Sequence, residues 1–172
     1  MPDLKIVIIG DTHLHSMDNF PEKMMKEIIN SDWLIHTGDF ISESVLETFI
    51  GIKQDKFIGV YGNADPLSIR KKLTQKKKFS IYEIRFGLVH PAEGGPDQKA
   101  EKRARRSFDK SEIDILIFGH THSAKIERRG RLLILNPGKG YLEKSYYGPS
   151  TSYILLFISK EREINPKINY IE

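Results

Sequence analysis

Short apolar runs alternate with amphipathic segments in the first half of the chain. Residues 6–9 are Ile-Val-Ile-Ile, a β-branched run typical of a strand that is buried on both faces. Similar runs at 33–37 and 56–61 predict two further strands. Two intervening segments carry apolar residues at helical spacing: Met24, Met25, Ile28 and Ile29, then Val45, Leu46, Phe49 and Ile50. The first half therefore predicts a βαβαβ order, with a short helix after Pro66.

The second half is richer in strands. Two hairpins are predicted, one at 79–84 with 86–90, the other at 124–128 with 131–135. A charged helix at roughly 97–109 and a strand at 113–118 lie between the hairpins, and strands at 152–158 and roughly 162–170 end the pattern. These elements predict an α/β fold in which two mixed sheets pack face to face with helices outside.

Polar side chains with oxygen or nitrogen donors follow five of the predicted strands. They occur in the segments Gly10-Asp11-Thr12-His13, Gly38-Asp39, Gly62-Asn63, His90 and Gly119-His120-Thr121-His122. Sites in α/β sheets form where strands end, at their carboxyl edge. We therefore expect these side chains to meet in one site.

Composition narrows the chemistry of this site. The 172 residues contain no cysteine, so a metal would be held by His, Asp, Glu or Asn. Length predicts one domain over residues 1–172, and no apolar run approaches a membrane span. The absence of cysteine and of a signal peptide pattern near the start favours the cytoplasm. A net charge of +4 suits an anionic substrate without requiring nucleic acid.

The number of donors predicts two metal ions. Seven side chains are too many for one zinc-like ion: Asp11, His13, Asp39, Asn63, His90, His120 and His122. Two ions are usually bridged by a shared carboxylate, and Asp39 is central in the series. The mixed oxygen and nitrogen donors suit Mn²⁺, which we expect, with Ni²⁺, Fe²⁺ or Zn²⁺ as alternatives, and suit Ca²⁺ poorly.

These motifs, in this order, resemble the five signature blocks of the calcineurin-like metallophosphoesterases, from about residue 5 to about residue 158. The compact length and the turn Asn136-Pro137-Gly138 resemble the small bacterial and archaeal phosphodiesterase subfamily, and the retromer subunit of the same fold is also similar. The resemblance implies a four-layer α/β sandwich. It also implies one metal on Asp11, His13, Asp39 and His122, and another on Asp39, Asn63, His90 and His120.

The resemblance implies a phosphodiesterase in which a metal-bridged hydroxide attacks a small phosphodiester. Asp39, Asn63 and His120 would act through the metals and the phosphate. Two residues depart from the family pattern: Ala64 stands where many members have a proton-donating His, and Pro91 follows His90. Losing a general acid costs about 10²–10⁴-fold. We therefore expect modest activity on esters with acidic leaving groups. The alternative is a metal-binding scaffold that interacts with other proteins.

Four other residues near these motifs are not among the seven donors. His36 is expected to be a buried structural histidine, His15 a solvated loop residue and Asn136 a turn residue. Asp65 is expected either to orient a ligand or to cap the next helix.

The remaining charged and aromatic runs bear on which partners the protein could bind. Two basic runs, Lys71 to Lys78 and Lys102 to Arg106, are expected to be solvated helix faces, and a nuclease that binds nucleic acid through them is the weaker alternative. Four tyrosines are predicted to line a substrate rim or a contact between subunits of a homo-oligomer: Tyr141, Tyr146, Tyr147 and Tyr153.

Overall fold

The computed structural model describes residues 3–93, 95–142 and 148–171. Within these ranges the strands are Leu4–Ile9 (β1), Trp33–His36 (β2), Phe57–Gly59 (β3), Lys76–Ile81 (β4), Ile84–Val89 (β5), Ile115–Phe118 (β6), Lys125–Arg129 (β7), Leu132–Asn136 (β8), Thr151–Ile158 (β9) and Ile164–Ile171 (β10). The α-helices are Glu22–Ile29 (α1), Glu43–Lys53 (α2), Leu67–Arg70 (α3) and Ala100–Arg106 (α4), and short 3-10 helices span Met17–Asn19, Gln54–Lys56 and Asp97–Lys99.

The strands form two mixed five-stranded sheets. The first has the order β10-β9-β1-β2-β3, in which β1, β2 and β3 run parallel and β9 runs antiparallel to β1. The second has the order β4-β5-β6-β8-β7, in which β5, β6 and β8 run parallel. In each sheet the parallel strands end at one edge, and the loops with the predicted donors leave from there.

The two sheets pack face to face, and β1 shows how. Ile6 and Ile8 lie in a core shared with Phe86 and Ile117 of the second sheet. Val7 and Ile9 point the other way, into a second cluster with residues of α1 and α2. Successive side chains of a strand face opposite sides, so an all-apolar run is buried twice.

A third cluster completes the layers. Leu116 and Phe118 pack with Ala104 of α4 on the outer face of the second sheet. The order is therefore helices, sheet, sheet, helix. This arrangement confirms the predicted α/β sandwich of two mixed sheets with helices outside.

Several predicted boundaries were wrong. Strand β4 begins at Lys76, so the lysines at 76–78 lie on an edge strand rather than on a helix. An edge strand exposes one row of backbone groups, and lysines there discourage pairing with another chain. Helix α4 is shorter than the predicted 97–109 because a 3-10 helix occupies its start. None of the helices in the described ranges is long and apolar enough to cross a membrane.

Candidate metal centre

The strand ends of both sheets bring all seven predicted donors into one connected cluster. Asp11 and His13 follow β1, Asp39 follows β2, and Asn63 lies just beyond β3. His90 follows β5 directly, and His120 and His122 follow β6. Face-to-face packing of the sheets places the second group of loops opposite the first.

One part of the cluster surrounds Asp11, whose side chain is fully buried. Its Oδ1 lies 3.5 Å from His122 Nε2 and 3.9 Å from His13 Nε2. The donor atoms of Asp11, His13 and His122 all lie within 4.8 Å of one another. These three residues could hold one metal ion.

The other part surrounds Asn63. Its Oδ1 lies 3.0 Å from His90 Nε2 and 3.2 Å from His120 Nδ1. Asp39 joins the two parts, because its Oδ2 lies 3.3 Å from His13 Nε2 and 3.4 Å from His90 Nε2. The donor atoms of Asp39, His90 and Asp11 also lie within 4.8 Å of one another.

The backbone at this cluster is left-handed, which is uncommon for residues other than glycine. Asp11, His13, Asp39, His120 and His122 have φ angles of 47°, 44°, 63°, 82° and 61°. Such strain persists only when surrounding contacts hold it, and it clusters at functional sites. Five of the seven predicted donors therefore occupy tight, specifically held turns.

Hydrogen bonds between loops hold these turns. Asp11 N donates to Gly38 O over 2.9 Å, and His13 N donates to Asp39 O over 3.1 Å. His120 N donates to Asp11 Oδ2 over 3.0 Å, which ties the loop of the second sheet to that of the first. The buried carboxylate thus fixes a neighbouring loop while its Oδ1 faces the cluster.

Asp65 likewise holds loops in place, through hydrogen bonds from three backbone N–H groups. Its Oδ2 accepts from Asp39 N at 2.9 Å and from Gly62 N at 2.7 Å, and its Oδ1 accepts from Ile41 N at 2.9 Å. Helix α3 begins after Pro66 without a side-chain cap. Of the two predicted roles, Asp65 therefore has the first: it orients the loops that carry Asp39 and Asn63.

Glycines leave room for these approaches. A Cβ at Gly62 would lie 2.1 Å from Asp39 Oδ1, a distance that real Cβ atoms essentially never show. A Cβ at Gly10 would lie 1.7 Å from Thr37 Oγ1, and one at Gly119 would lie 2.4 Å from the same atom. The glycines that precede the donors are therefore needed for close packing of the loops.

Comparison with known proteins assigns the chain to a family. The family model described as "Calcineurin-like phosphoesterase superfamily domain" matches residues 4–161. The chain belongs to the calcineurin-like phosphoesterase superfamily. Members of this superfamily use divalent metals, and the cluster offers the matching donors.

Relatives support the same assignment. "Probable metallophosphoesterase MJ0623" of Methanocaldococcus jannaschii is 32% identical over 135 residues, which are 77% of this chain and 66% of that relative. "Phosphodiesterase MJ0936" of the same organism is 30% identical over 155 residues, which are 81% of this chain and 87% of that relative. Both alignments cover most of this phosphoesterase.

A solved structure shows the same fold. Wild-type Vps29 from Entamoeba histolytica, solved as a complex with Zn²⁺, superimposes with a TM-score of 0.70 and 19% identity. The match covers 97% of this chain and 99% of that one. It supports the retromer-like fold that the sequence predicted.

The charged side chains of the cluster shift one another's pKa values. Burial alone would raise the pKa of Asp11, but His122 and His13 outweigh it and lower the pKa to about 2. Burial alone would lower the pKa of His13, but Asp11 and Asp39 raise it to about 9. His13 and His90 likewise hold the pKa of Asp39 far below its usual range. Without a metal, the carboxylates are therefore ionised and His13 carries a proton at pH 7.

Two observations test whether the site suits a cation. Among the described residues, Asp11 Oδ1 and His13 Nε2 are buried side-chain atoms that lack a hydrogen-bond partner. Ligand atoms about 2.1 Å from a shared ion lie roughly 3.0–3.4 Å apart. Most separations in the cluster are of this size, from 3.0 Å between His90 and Asn63 to 3.5 Å between His122 and Asp11. The donor set therefore fits divalent cations.

Metal binding is expected to release protons from this site. His13 must lose its proton to ligate a cation, and its pKa of about 9 lies above neutral pH. Affinity should therefore rise about tenfold per pH unit between pH 6 and pH 9 and level off above that range. Metal titration in a weak buffer with a pH indicator should show at least about one proton released per protein at pH 7. If no proton were released at pH 7, His13 could not be both protonated in the metal-free protein and a ligand of the metal.

The remaining predicted residues can now be placed. His36 is fully buried and stacks on Phe40 at 3.7 Å, with Nδ1 accepting from Gly38 N and Nε2 donating to Thr12 Oγ1. Burial lowers its pKa to about 3, so it is a neutral structural histidine as predicted. His15 is exposed, and Asn136 accepts from Gly138 N as the predicted turn requires.

The tyrosine prediction was partly wrong. Tyr153 is fully buried with the helices on the outer face of the first sheet, so it lines no rim. Tyr141 lies beside the site, with its ring 5.5 Å from that of His13 and 5.8 Å from that of His122. Tyr146 and Tyr147 lie outside the described residues.

The basic runs are largely engaged within the protein. Lys72 pairs with Glu43 and Glu47, and Lys78 pairs with Glu112. In the second run, Arg103 donates to backbone carbonyls. The second run lies on α4 as predicted, whereas the first is not helical: Lys71 follows α3, and the lysines at 76–78 lie on β4.

Sequence analysis missed one carboxylate. Asp97 Oδ1 lies 2.7 Å from His120 Nε2, across 23 positions of sequence. Asp97 lies in the 3-10 helix before α4, and no motif or strand end marks it. No signal in the sequence pattern would have identified this contact.

Proposed function

We propose that this phosphoesterase is a phosphodiesterase that works with two divalent cations. One cation would be held by Asp11, His13, Asp39 and His122, and the other by Asp39, Asn63, His90 and His120. The observation that carries this proposal is the position of Asp39. Its Oδ2 lies almost equally far from His13 and His90, at 3.3 Å and 3.4 Å, which is the position of a bridging carboxylate.

The donors also limit which ions suit the site. Imidazoles favour Mn²⁺, Fe²⁺, Ni²⁺ and Zn²⁺ over Ca²⁺ or Mg²⁺, which prefer oxygen. The chain contains no cysteine to select zinc by thiolate ligation. We propose Mn²⁺ as the working ion, with Zn²⁺ supported by the zinc complex of the similar Vps29.

When bound, the two cations would activate a water molecule and hold the phosphoryl oxygens for in-line attack. The protein's own residues orient this chemistry. Asp39 presents Oδ2 to both histidines, while its Oδ1 accepts from Ala64 N at 2.8 Å and is thereby fixed in rotation. Asn63 is exposed, so a substrate phosphate can approach the cluster beside it.

The leaving alcohol receives no proton from residue 64, because the side chain of Ala64 is a methyl group. General acid catalysis typically contributes about 10²–10⁴-fold. Substrates with acidic leaving groups need this contribution least. We therefore propose a preference for diesters of acidic alcohols.

A cleft beside the site has room for an ester substituent. Its volume is about 310 Å³, and its lining includes Asp97, which contacts His120, and Thr121, which follows His120 in sequence. This volume is near the lower end for ligand pockets, about 300–1,000 Å³. A small phosphodiester suits it better than a polymer.

The test is hydrolysis of bis-p-nitrophenyl phosphate. Protein stripped of metal and reloaded with Mn²⁺, Ni²⁺ or Zn²⁺ should turn over, whereas the stripped protein should be at least about 10³-fold slower. A diester with two alkyl groups should react at least about 10²-fold more slowly, because no acid assists its leaving group. The proposal is overturned if the metal-loaded protein hydrolyses neither diesters nor monoesters.

The similarity to Vps29 keeps a second function open, that of a metal-binding scaffold for other proteins. The loss of the proton donor at Ala64 favours it. Turnover distinguishes the two, because a scaffold would bind two cations without accelerating hydrolysis.

A further inference from the structure

His120 differs from the other ligands in how its outer ring nitrogen is held. Its Nε2 lies 2.7 Å from Asp97 Oδ1, whereas its Nδ1 faces Asn63 Oδ1 at 3.2 Å. An ionised carboxylate only accepts hydrogen bonds. Nε2 therefore carries the proton, and in the neutral ring the lone pair is on Nδ1, towards the cluster.

His90 shows the same arrangement with a different acceptor. Its Nδ1 donates to the carbonyl oxygen of Thr37 at 2.9 Å, so its Nε2 is the inward nitrogen, 3.0 Å from Asn63 Oδ1. A carbonyl oxygen also only accepts. When both rings are neutral, their two lone pairs and the Asn63 oxygen face one another, and a divalent cation among them would contact all three.

The segment that carries Asp97 is anchored by Arg103. This arginine of α4 donates from Nε and Nη2 to Pro91 O at 3.0 Å and 2.6 Å, and from Nη1 to Pro96 O at 2.8 Å. It therefore ties the residue after His90 to the residue before Asp97. Pro91, which departs from the family pattern, contributes its carbonyl group to this anchor.

We propose that Asp97, held in place by Arg103, is a positioning residue that sets the His120 tautomer required to bind the second cation. The proposal rests on the two-cation arrangement proposed above. It gives Arg103, part of a basic run, a role inside the protein rather than on a polyanion. It also assigns a role to a carboxylate that none of the sequence blocks contains.

The size of the effect follows from exposure. Partners that hydrogen-bond a metal-ligating histidine typically change metal affinity by about 10–100-fold. The Asp97 side chain is 73% exposed, whereas that of His120 is 16% exposed. Water screens an exposed carboxylate, so the expected effect lies at the lower end, about tenfold.

Two measurements test the proposal. Long-range ¹H–¹⁵N spectra of the metal-free protein, recorded where the His120 ring is neutral, should show its proton on Nε2, and Asp97→Ala should give a mixture of tautomers. Calorimetric titration with Zn²⁺ should show two sites, and Asp97→Ala should weaken the second about tenfold while leaving the first within about twofold. Asp97→Glu, which keeps an acceptor, should recover part of the loss.

Matched variants distinguish a positioning role from an unspecific effect of changing the structure or the net charge. Arg103→Ala should weaken the second site in the same direction, whereas Arg106→Ala, an exposed arginine on the same helix, should not. Asp55→Ala, an exposed carboxylate elsewhere, is the control for charge.

An unchanged tautomer and an unchanged second site in Asp97→Ala would overturn the proposal. A wild-type protein that binds only one cation would instead overturn the two-cation arrangement. The tautomer measurement without metal decides the role of Asp97 in either case.

Discussion

Asp39→Asn is expected to lower kcat/KM for bis-p-nitrophenyl phosphate by at least about 10³-fold and to remove at least one of the two proposed cations. Asparagine offers one neutral oxygen, so it cannot supply a charged bridge between the groups that contain His13 and His90. Asparagine also has an amide nitrogen, which is a donor. It would face either the histidines or the backbone N–H of Ala64, whose present acceptor is Asp39 Oδ1. The change should therefore affect both halves of the site.

The metal-free protein provides an independent measurement. Asp39 is one of the groups that raise the pKa of His13 to about 9, so NMR titration of Asp39→Asn should show that pKa moving down towards its ordinary value. Asp55→Asn makes the same chemical change on the exposed surface and should alter neither the pKa nor turnover. Full activity with two bound cations in Asp39→Asn would refute the bridging role.

Asp65→Ala is expected to destabilise the protein by about 2–4 kcal/mol and to weaken metal binding, although Asp65 ligates nothing. The substitution leaves the N–H groups of Asp39, Ile41 and Gly62 without their acceptor. Each unsatisfied buried donor costs about 1–3 kcal/mol, and water entering the space offsets part of the sum. The loops that carry Asp39 and Asn63 would then lose their common anchor.

Thermal unfolding of the metal-free protein measures this effect. A loss of about 2–4 kcal/mol lowers Tm by about 5–15 °C for a chain of this length. Asp65→Asn should be intermediate, because one oxygen remains while the amide nitrogen faces a backbone donor. Asp109→Ala removes an exposed carboxylate that caps only a nearby turn, and it should change Tm far less. If Asp65→Ala unfolded like Asp109→Ala, the three backbone contacts would contribute little.

The arrangement also explains why Ala64 is compatible with an intact site. The backbone N–H of Ala64, not its side chain, contacts Asp39. The side chain at this position therefore takes no part in the contact that fixes Asp39. The identity of the side chain at position 64 and the arrangement of the donors are thus physically separable in this chain.

The two halves of the molecule differ in how well local patterns predicted them. The strand at residues 6–9, buried on both faces, was predicted correctly. A short run of β-branched apolar residues is typical of a strand with both faces covered. The predicted start of β4 was three residues too late. Its first three residues are exposed lysines, which lack the apolar alternation used to recognise strands. Tyr153 was misplaced because an aromatic residue of a strand can face either the core or the solvent.

The sequence by itself determined which side chains lie at strand ends, because a glycine and a polar donor directly after a buried run have no place inside a sheet. It thereby predicted the fold class and the seven donors that lie together. Only the tertiary structure decided how they meet, because the distance between His90 and Asp39 depends on the packing of one sheet against the other. The contact of Asp97 with His120 and the anchoring by Arg103 arise in the same way, from α4 packing against the second sheet. Local residue patterns carry no record of such contacts, because their energy depends on three-dimensional proximity rather than on neighbours in the chain.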